Sequence, residues 1–143
     1  MSLSTTHYAR CIQTLESSLG FLGQAEEGSI DYEIFRNAVV KGFELTLETA
    51  GKLLRKALKA YTGNPRAIDQ LNYKDVLRHA AKHGLLSTEE VARWFAYRDN
   101  RNNTAHDYGK GFADETLTLI PAFIADARAL ETTLREKLDD AGS

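Results

Sequence analysis

One stretch dominates what this chain can fold into. From Tyr32 to Tyr61, apolar side chains recur at Phe35, Val39, Phe43, Leu47, Ala50, Leu54, Ala57 and Tyr61, always three or four positions apart. That period places them on one stripe of an α-helix and on no single face of a strand. Leu45, Leu53 and Leu58 widen the stripe. Such a helix extends about 45 Å at 1.5 Å per residue. This is longer than the core of a small bundle is wide, so the helix reads as the backbone of the fold, or as an element shared with a partner. Gly42 and Gly51 interrupt it at a cost of roughly 1 kcal/mol each. Close approach of another helix and simple tolerance both fit them.

The other segments share the helical period. Tyr8, Ile12, Leu15, Leu19 and Leu22 predict a first helix over about residues 4–24, with Cys11 at the edge of its stripe. "EEGSID" ends it, with Gly28 as terminator and Ser29 or Asp31 as the next cap. "TGNPRAIDQLN" reads as a loop, followed by a cap at Asn72. A short helix over 73–83 buries Val76, Leu77 and Ala80 and is closed by Gly84. "STEE" at 87–90 is a capping box, Ser87 and Glu90 each serving the other's amide. The helix it opens carries Val91, Trp94 and Phe95 inward and runs toward Gly109. "YGKGF" reads as a break. A last helix over about 113–138 has Leu117, Ile120, Ile124, Ala127, Leu134 and Leu138 on one face, with a kink expected at Pro121. No segment alternates with period two for long. The expected fold is all-α, an antiparallel bundle of about five helices in one domain spanning 1–143, with residues from about 139 as a frayed tail.

Composition narrows the function classes. The 143 residues are 43% hydrophobic and 27% charged, which excludes wholesale disorder. A net charge of −2 gives the whole chain no attraction for nucleic acid or acidic membranes, so anion binding must come from a local patch. One cysteine excludes an intrachain disulfide and a cysteine-based zinc site. A reducing, cytoplasmic setting follows, and no apolar run approaches the ~18 residues that span a bilayer.

The chemistry-bearing groups crowd into "RNNTAHDYG", residues 101–109. Around it, Arg93, Arg98, Arg101 and Lys110 outnumber Asp99 and Asp107, so the segment is positive in an acidic chain. At about 100° per residue, Arg98, Arg101, Ala105 and Tyr108 share a helical stripe. Arg101 and His106 lie about 140° apart on a regular helix and do not. Bringing both onto one phosphate needs a bent helix end or a second copy across a two-fold axis. Histidine titrates near neutrality and serves as acid or base, and arginine offers a charged fork to phosphate oxygens. RNA carries its own nucleophile in the 2′-hydroxyl. A base for that proton and a cation for the charged phosphorane suffice without metal. Asn102 and Asn103 can orient either group. The bland alternative is a solvated helix end, where arginine and histidine are favoured by the helix dipole.

Other groups read as structural. His79 and His83 have a chelating i, i+4 spacing without a third ligand and fit a solvated basic face. Trp94 and Phe95 fit the core better than a base-stacking platform. Asp31, Glu33, Glu44 and Glu48 read as a charged outer face rather than a carboxylate site. No P-loop or dinucleotide fingerprint occurs, so no cofactor or metal is expected, and nucleotide-transfer chemistry must reside on another chain.

"RNNTAHDY" resembles the signature of the HEPN superfamily, an arginine, four to six residues, then histidine. Its His-any-Tyr ending resembles that of the HepT toxins. "FELTLETAGKLLRKAL", "YKDVLRHAAKHGLL" and "ARWFAYRDNRNNTAHDY", with a proline-bearing last helix, resemble the nucleotidyltransferase substrate-binding branch over roughly residues 8–138. The resemblance implies a bundle that dimerises with the two motifs facing one cleft. It also implies a minimal nucleotidyltransferase partner encoded nearby. In HepT-like pairs the helical chain is a metal-independent ribonuclease toxin and the partner is its antitoxin, able to transfer AMP to the motif tyrosine. Carried over, Arg101 stabilises the phosphate, His106 is the acid/base, Asn102 the polar helper and Tyr108 the AMP acceptor. Arg98, Asn103 and Lys110 are added as RNA- or phosphate-binding residues. A non-catalytic partner subunit of the nucleotidyltransferase is the alternative.

Overall fold

The fold is that of a computed structural model, which describes residues 3–104 and 110–138. Among these, α1 spans Thr6–Gln24, α2 Ile30–Leu58, α3 Pro65–Asp69, α4 Tyr73–Lys82, α5 Thr88–Thr104 and α6 Lys110–Lys137, with no strand. A 3₁₀ turn, Lys59–Tyr61, extends α2 to the end the periodicity predicts.

The long α2 is the spine and contacts each of the other helices. Its stripe is buried from Val39 through Leu58, as the spacing of three and four requires. Leu45 departs from expectation: it is 51% exposed. The α1–α2 pair is an antiparallel hairpin. Phe21 stacks on Phe35, Leu15 meets Gly42 and Cys11 lies beside Thr49, so numbers fall along one helix as they rise along the other.

The caps follow the chemistry of the sequence. The Ser29 hydroxyl accepts from the Tyr32 amide and Asn72 Oδ1 from the Asp75 amide. Ser87 and Glu90 exchange both bonds of the capping box, at 2.9 and 3.0 Å. Gly84 takes φ +76° just after α4, the left-handed closure that glycine adopts without strain.

Two boundaries and the burial of one side chain differ from the sequence reading. Residues 65–69, expected as loop, form the short α3, because Pro65 at its first position supplies a helical φ where no amide is needed. Ile68 anchors it in the core, and its carbonyl accepts from Arg55 Nη1. The last helix starts at Lys110 rather than near Ala113, so Gly111 lies inside its first turn. It then runs unbroken through Pro121. Phe95, expected in the core, is only half-buried. Its ring lies under Lys74 Nζ at 5.2 Å and the Arg78 guanidinium at 5.0 Å, so the cations cover a face the core does not. Trp94 is fully buried, edge-on to Tyr97 and Phe123.

Candidate functional site

The motif-bearing helix α5 is fixed in rotation before any functional group is considered. Val91, Trp94 and Tyr97 bury one face. Beside them Arg93 grips Asp126 of α6 with Nε and Nη2, both at 2.8 Å, and the Tyr97 hydroxyl donates to the same carboxylate at 2.5 Å. Burial alone would raise the pKa of Asp126, but the bonds from Arg93 and Tyr97 outweigh it and hold the carboxyl below its ordinary value. Burial, then the Asp126 bond, pushes the Tyr97 hydroxyl upward. One turn on, the Thr116 hydroxyl of α6 donates to buried Asn100 Oδ1 at 2.9 Å. Asn100 immediately precedes Arg101, so α6 secures α5 up to the start of the motif.

With the helix held this way, Arg98 and Arg101 face α2, as their spacing of three predicts. Arg98 Nη1 lies 2.8 Å from Glu48 Oε1, and its guanidinium stacks 4.7 Å above the Tyr73 ring. Arg101 Nε lies 4.0 Å from Glu44 Oε2, with only 16% of the Glu44 side chain exposed and 27% of that of Arg101. The expectation of a charged outer face holds for Glu48, whose side chain is half exposed, and is corrected for Glu44. They are one turn apart on α2, and the antiparallel run of α5 aligns them with two arginines three positions apart.

Tyr73 completes this platform. Its hydroxyl donates to the Leu47 carbonyl at 2.7 Å and its ring lies across Gly51. A Cβ at residue 51 would sit 2.5 Å from Tyr73 Cε2, so this glycine is a place of close approach rather than a tolerated weak point. Burial drives the pKa of the Tyr73 hydroxyl far above its usual value, so it stays a neutral donor. Gly42 is the milder case, a Cβ there meeting Leu15 Cδ1 at 3.3 Å.

Beside the platform, a groove of about 430 Å³ between α4 and α5 is lined by Asn72, Tyr73, Lys74, Arg78, Arg98, Asp99 and Asn102. Of the residues singled out from sequence, Arg98 and Asn102 meet in this groove and Arg98 and Arg101 share the α2 face. Asn103 is exposed apart from them, and Lys110 opens α6. His106 and Tyr108 lie outside the described residues. His83 stacks on Tyr61, ring centroids 4.7 Å apart. Groups of three or more metal-ligating side chains do not occur among the described residues, nor does a helix long and apolar enough to cross a membrane.

Sequence reasoning passed over Asn100, Thr116 and Asp126, and it placed Glu44 on the outer face. A signal existed for Asp126, an acid beside the apolar stripe of α6. None existed for Glu44, whose burial depends on which helix covers it.

Residues 3–136 match the model of a protein family described as "Nucleotidyltransferase substrate binding protein like". The chain belongs to this family. It is also 31% identical over 98 residues to a Haemophilus influenzae protein named "Probable ribonuclease HepT". That match covers 68% of this chain and 66% of the relative, about two thirds of its length. A solved Haemophilus influenzae structure, described as revealing the fold of a substrate binding domain of a nucleotidyltransferase, superposes with a TM-score of 0.80 at 25% identity. The superposition covers 92% of this chain and 99% of that one. A Thermus thermophilus crystal structure gives a TM-score of 0.64 at 26% identity, over 85% and 98% of the two chains. The family is thus HepT-like, as the motif suggests, and its helical bundle is shared nearly end to end.

Proposed function

We propose that this chain is a HEPN-type toxin, a metal-independent endoribonuclease neutralised by a minimal nucleotidyltransferase antitoxin. The observation that carries this is the placement of Arg98 and Arg101 on one secured face of α5, at the head of the Arg-to-His motif. Membership of the HepT-like family supports it.

In the proposed reaction His106 takes the proton of the RNA 2′-hydroxyl, whose oxygen attacks the adjacent phosphorus. The bond from phosphorus to the 5′-oxygen breaks, and that oxygen leaves with a proton returned by an imidazolium. The products are a 2′,3′-cyclic phosphate and a 5′-hydroxyl. Arg101 stabilises the extra negative charge of the phosphorane, with Asn102 orienting the reacting groups and Arg98, Asn103 and Lys110 attracting the strand. A facing second copy supplies the missing geometry, because Arg101 and His106 point apart on one regular helix. Restraint follows if the partner places AMP on Tyr108. The tyrosine oxygen attacks the α-phosphorus of ATP, pyrophosphate leaves, and the added charge beside the arginines repels RNA.

The test is cleavage of RNA by purified, unmodified protein in excess chelator. Activity that survives the chelator and disappears in His106→Ala supports the proposal; intact RNA with folded protein refutes it. A second reading, a non-catalytic subunit of a nucleotidyltransferase, is favoured by the description of the family and of the Haemophilus structure. It expects a stable complex with the partner and no cleavage.

A further inference from the structure

The arginines of the motif do not meet an incoming phosphate alone, because α2 has already placed carboxylates against them. Glu44 stands out among these. It is mostly buried, it approaches the Nε side of Arg101 at 4.0 Å, and it belongs to a helix that the sequence motif does not include. A carboxylate in an RNA-cleaving site is costly for binding, since it repels the substrate's phosphates. An exposed acid could turn away into water. The packing of α2 on α5 keeps Glu44 at 4.0 Å from Arg101 Nε, an ion-pair distance beyond hydrogen-bond reach, while Glu48 and Arg98 make a 2.8 Å hydrogen bond one turn along.

We infer that Glu44 is a positioning residue for Arg101, fixing the guanidinium for the transition state at the expense of ground-state attraction for RNA. This rests on the ribonuclease reading and deepens it. The physical basis is that a long, flexible arginine contributes most to a charged phosphorane when its orientation is set in advance. A mostly buried carboxylate 4.0 Å from its Nε favours one orientation by charge attraction. The same negative charge weakens binding of every phosphate nearby, whatever the sequence of the strand.

Two effects of opposite sign therefore follow from one substitution. Glu44→Gln keeps the size and a hydrogen-bonding end but removes the charge. RNA binding should tighten by roughly threefold, the effect of one unit charge ~6 Å away in an aqueous dielectric. The salt dependence of binding should steepen by about 0.7, one more counterion being released from the strand. Turnover should fall at least tenfold, as it does when a catalytic group is misplaced by about 1 Å. Glu44→Asp, which keeps the charge, should recover part of the turnover and restore weaker binding. A residue with only a structural role would not tighten binding.

The experiment measures binding with a short 2′-O-methyl RNA, which lacks the nucleophile, and turnover with its unmodified counterpart. It uses the full-length wild type, Glu44→Gln, Glu44→Asp and, as a surface-charge control, Glu33→Gln. Helix content and thermal midpoint are recorded for each. Tighter binding with slower turnover in Glu44→Gln alone is the expected result. Unchanged turnover, or turnover and binding that weaken together with stability, in an active wild-type background overturns the positioning role and leaves the ribonuclease reading standing. A wild type that leaves RNA intact overturns both.

Discussion

Replacing Gly51 by alanine should destabilise this protein, although alanine is the better helix former. The reason is Tyr73. An added Cβ would stand 2.5 Å from Tyr73 Cε2, 3.2 Å from Cδ2 and 3.3 Å from Cζ. Carbon atoms settle near 3.5–4.0 Å, so the ring must retreat by about 1 Å. It is poorly placed to do so, with its hydroxyl bonded to the Leu47 carbonyl at 2.7 Å and Arg98 stacked on its face. Overpacking costs about 1–3 kcal/mol, and straining the hydroxyl bond adds about 1. Helix propensity returns about 1 kcal/mol. The net loss is about 1–3 kcal/mol, or a fall of roughly 3–10 °C in the thermal midpoint for a chain of this size. Gly20 and Gly23 provide the contrast. A Cβ at either meets nothing within 4 Å, so alanine there should stabilise by about 0.5–1 kcal/mol. Urea denaturation followed by helix signal measures all three. In a Tyr73→Leu background, which shortens the offending side chain, Gly51→Ala should cost little or nothing. A Gly51→Ala variant as stable as wild type, or a penalty that persists without the tyrosine, refutes the reasoning.

Other consequences follow from the supports of α5. Asp126 has a folded pKa below its unfolded value, so its contribution is complete above about pH 4 and is lost as pH falls through the folded value. Asp126→Asn should cost about 1–2 kcal/mol at neutral pH, and its acid denaturation should be shallower than that of wild type in a pH series of urea melts. Thr116→Val strands the buried Asn100 oxygen and should cost about 1–3 kcal/mol by the same melts, with a loss of RNA cleavage because Asn100 adjoins Arg101. Incubation with the nucleotidyltransferase partner and ATP should add one AMP by intact mass, and Tyr108→Phe should abolish the adduct.

The helical layout was legible because it is written in local chemistry. The Ser29 cap, the Asn72 cap, the Ser87–Glu90 box and the α2 stripe each depend on residues within a few positions of one another. The short α3 was hidden because five residues give too little periodicity to see, and the start of α6 because two glycines argued for a break. In the candidate site, the shared face of Arg98 and Arg101 followed from spacing. Glu44 did not, since a carboxylate on a long helix is outward or inward according to a neighbour fifty-odd positions away. Tyr73 over Gly51 is the same kind of fact. Sequence left close approach and tolerance equally open at Gly51, and only the packing of α4 on α2 decides between them.

The central claim is that this chain cleaves RNA with the substrate's own 2′-hydroxyl as nucleophile. It is tested most directly by comparing one RNA oligonucleotide with its fully 2′-O-methylated counterpart, in excess chelator, with wild type and His106→Ala side by side. Wild type should cut only the unmodified strand, leaving 2′,3′-cyclic phosphate and 5′-hydroxyl ends, while His106→Ala should bind both strands and cut neither. Cleavage of the methylated strand, cleavage that stops in chelator, or no cleavage by folded wild type would contradict it.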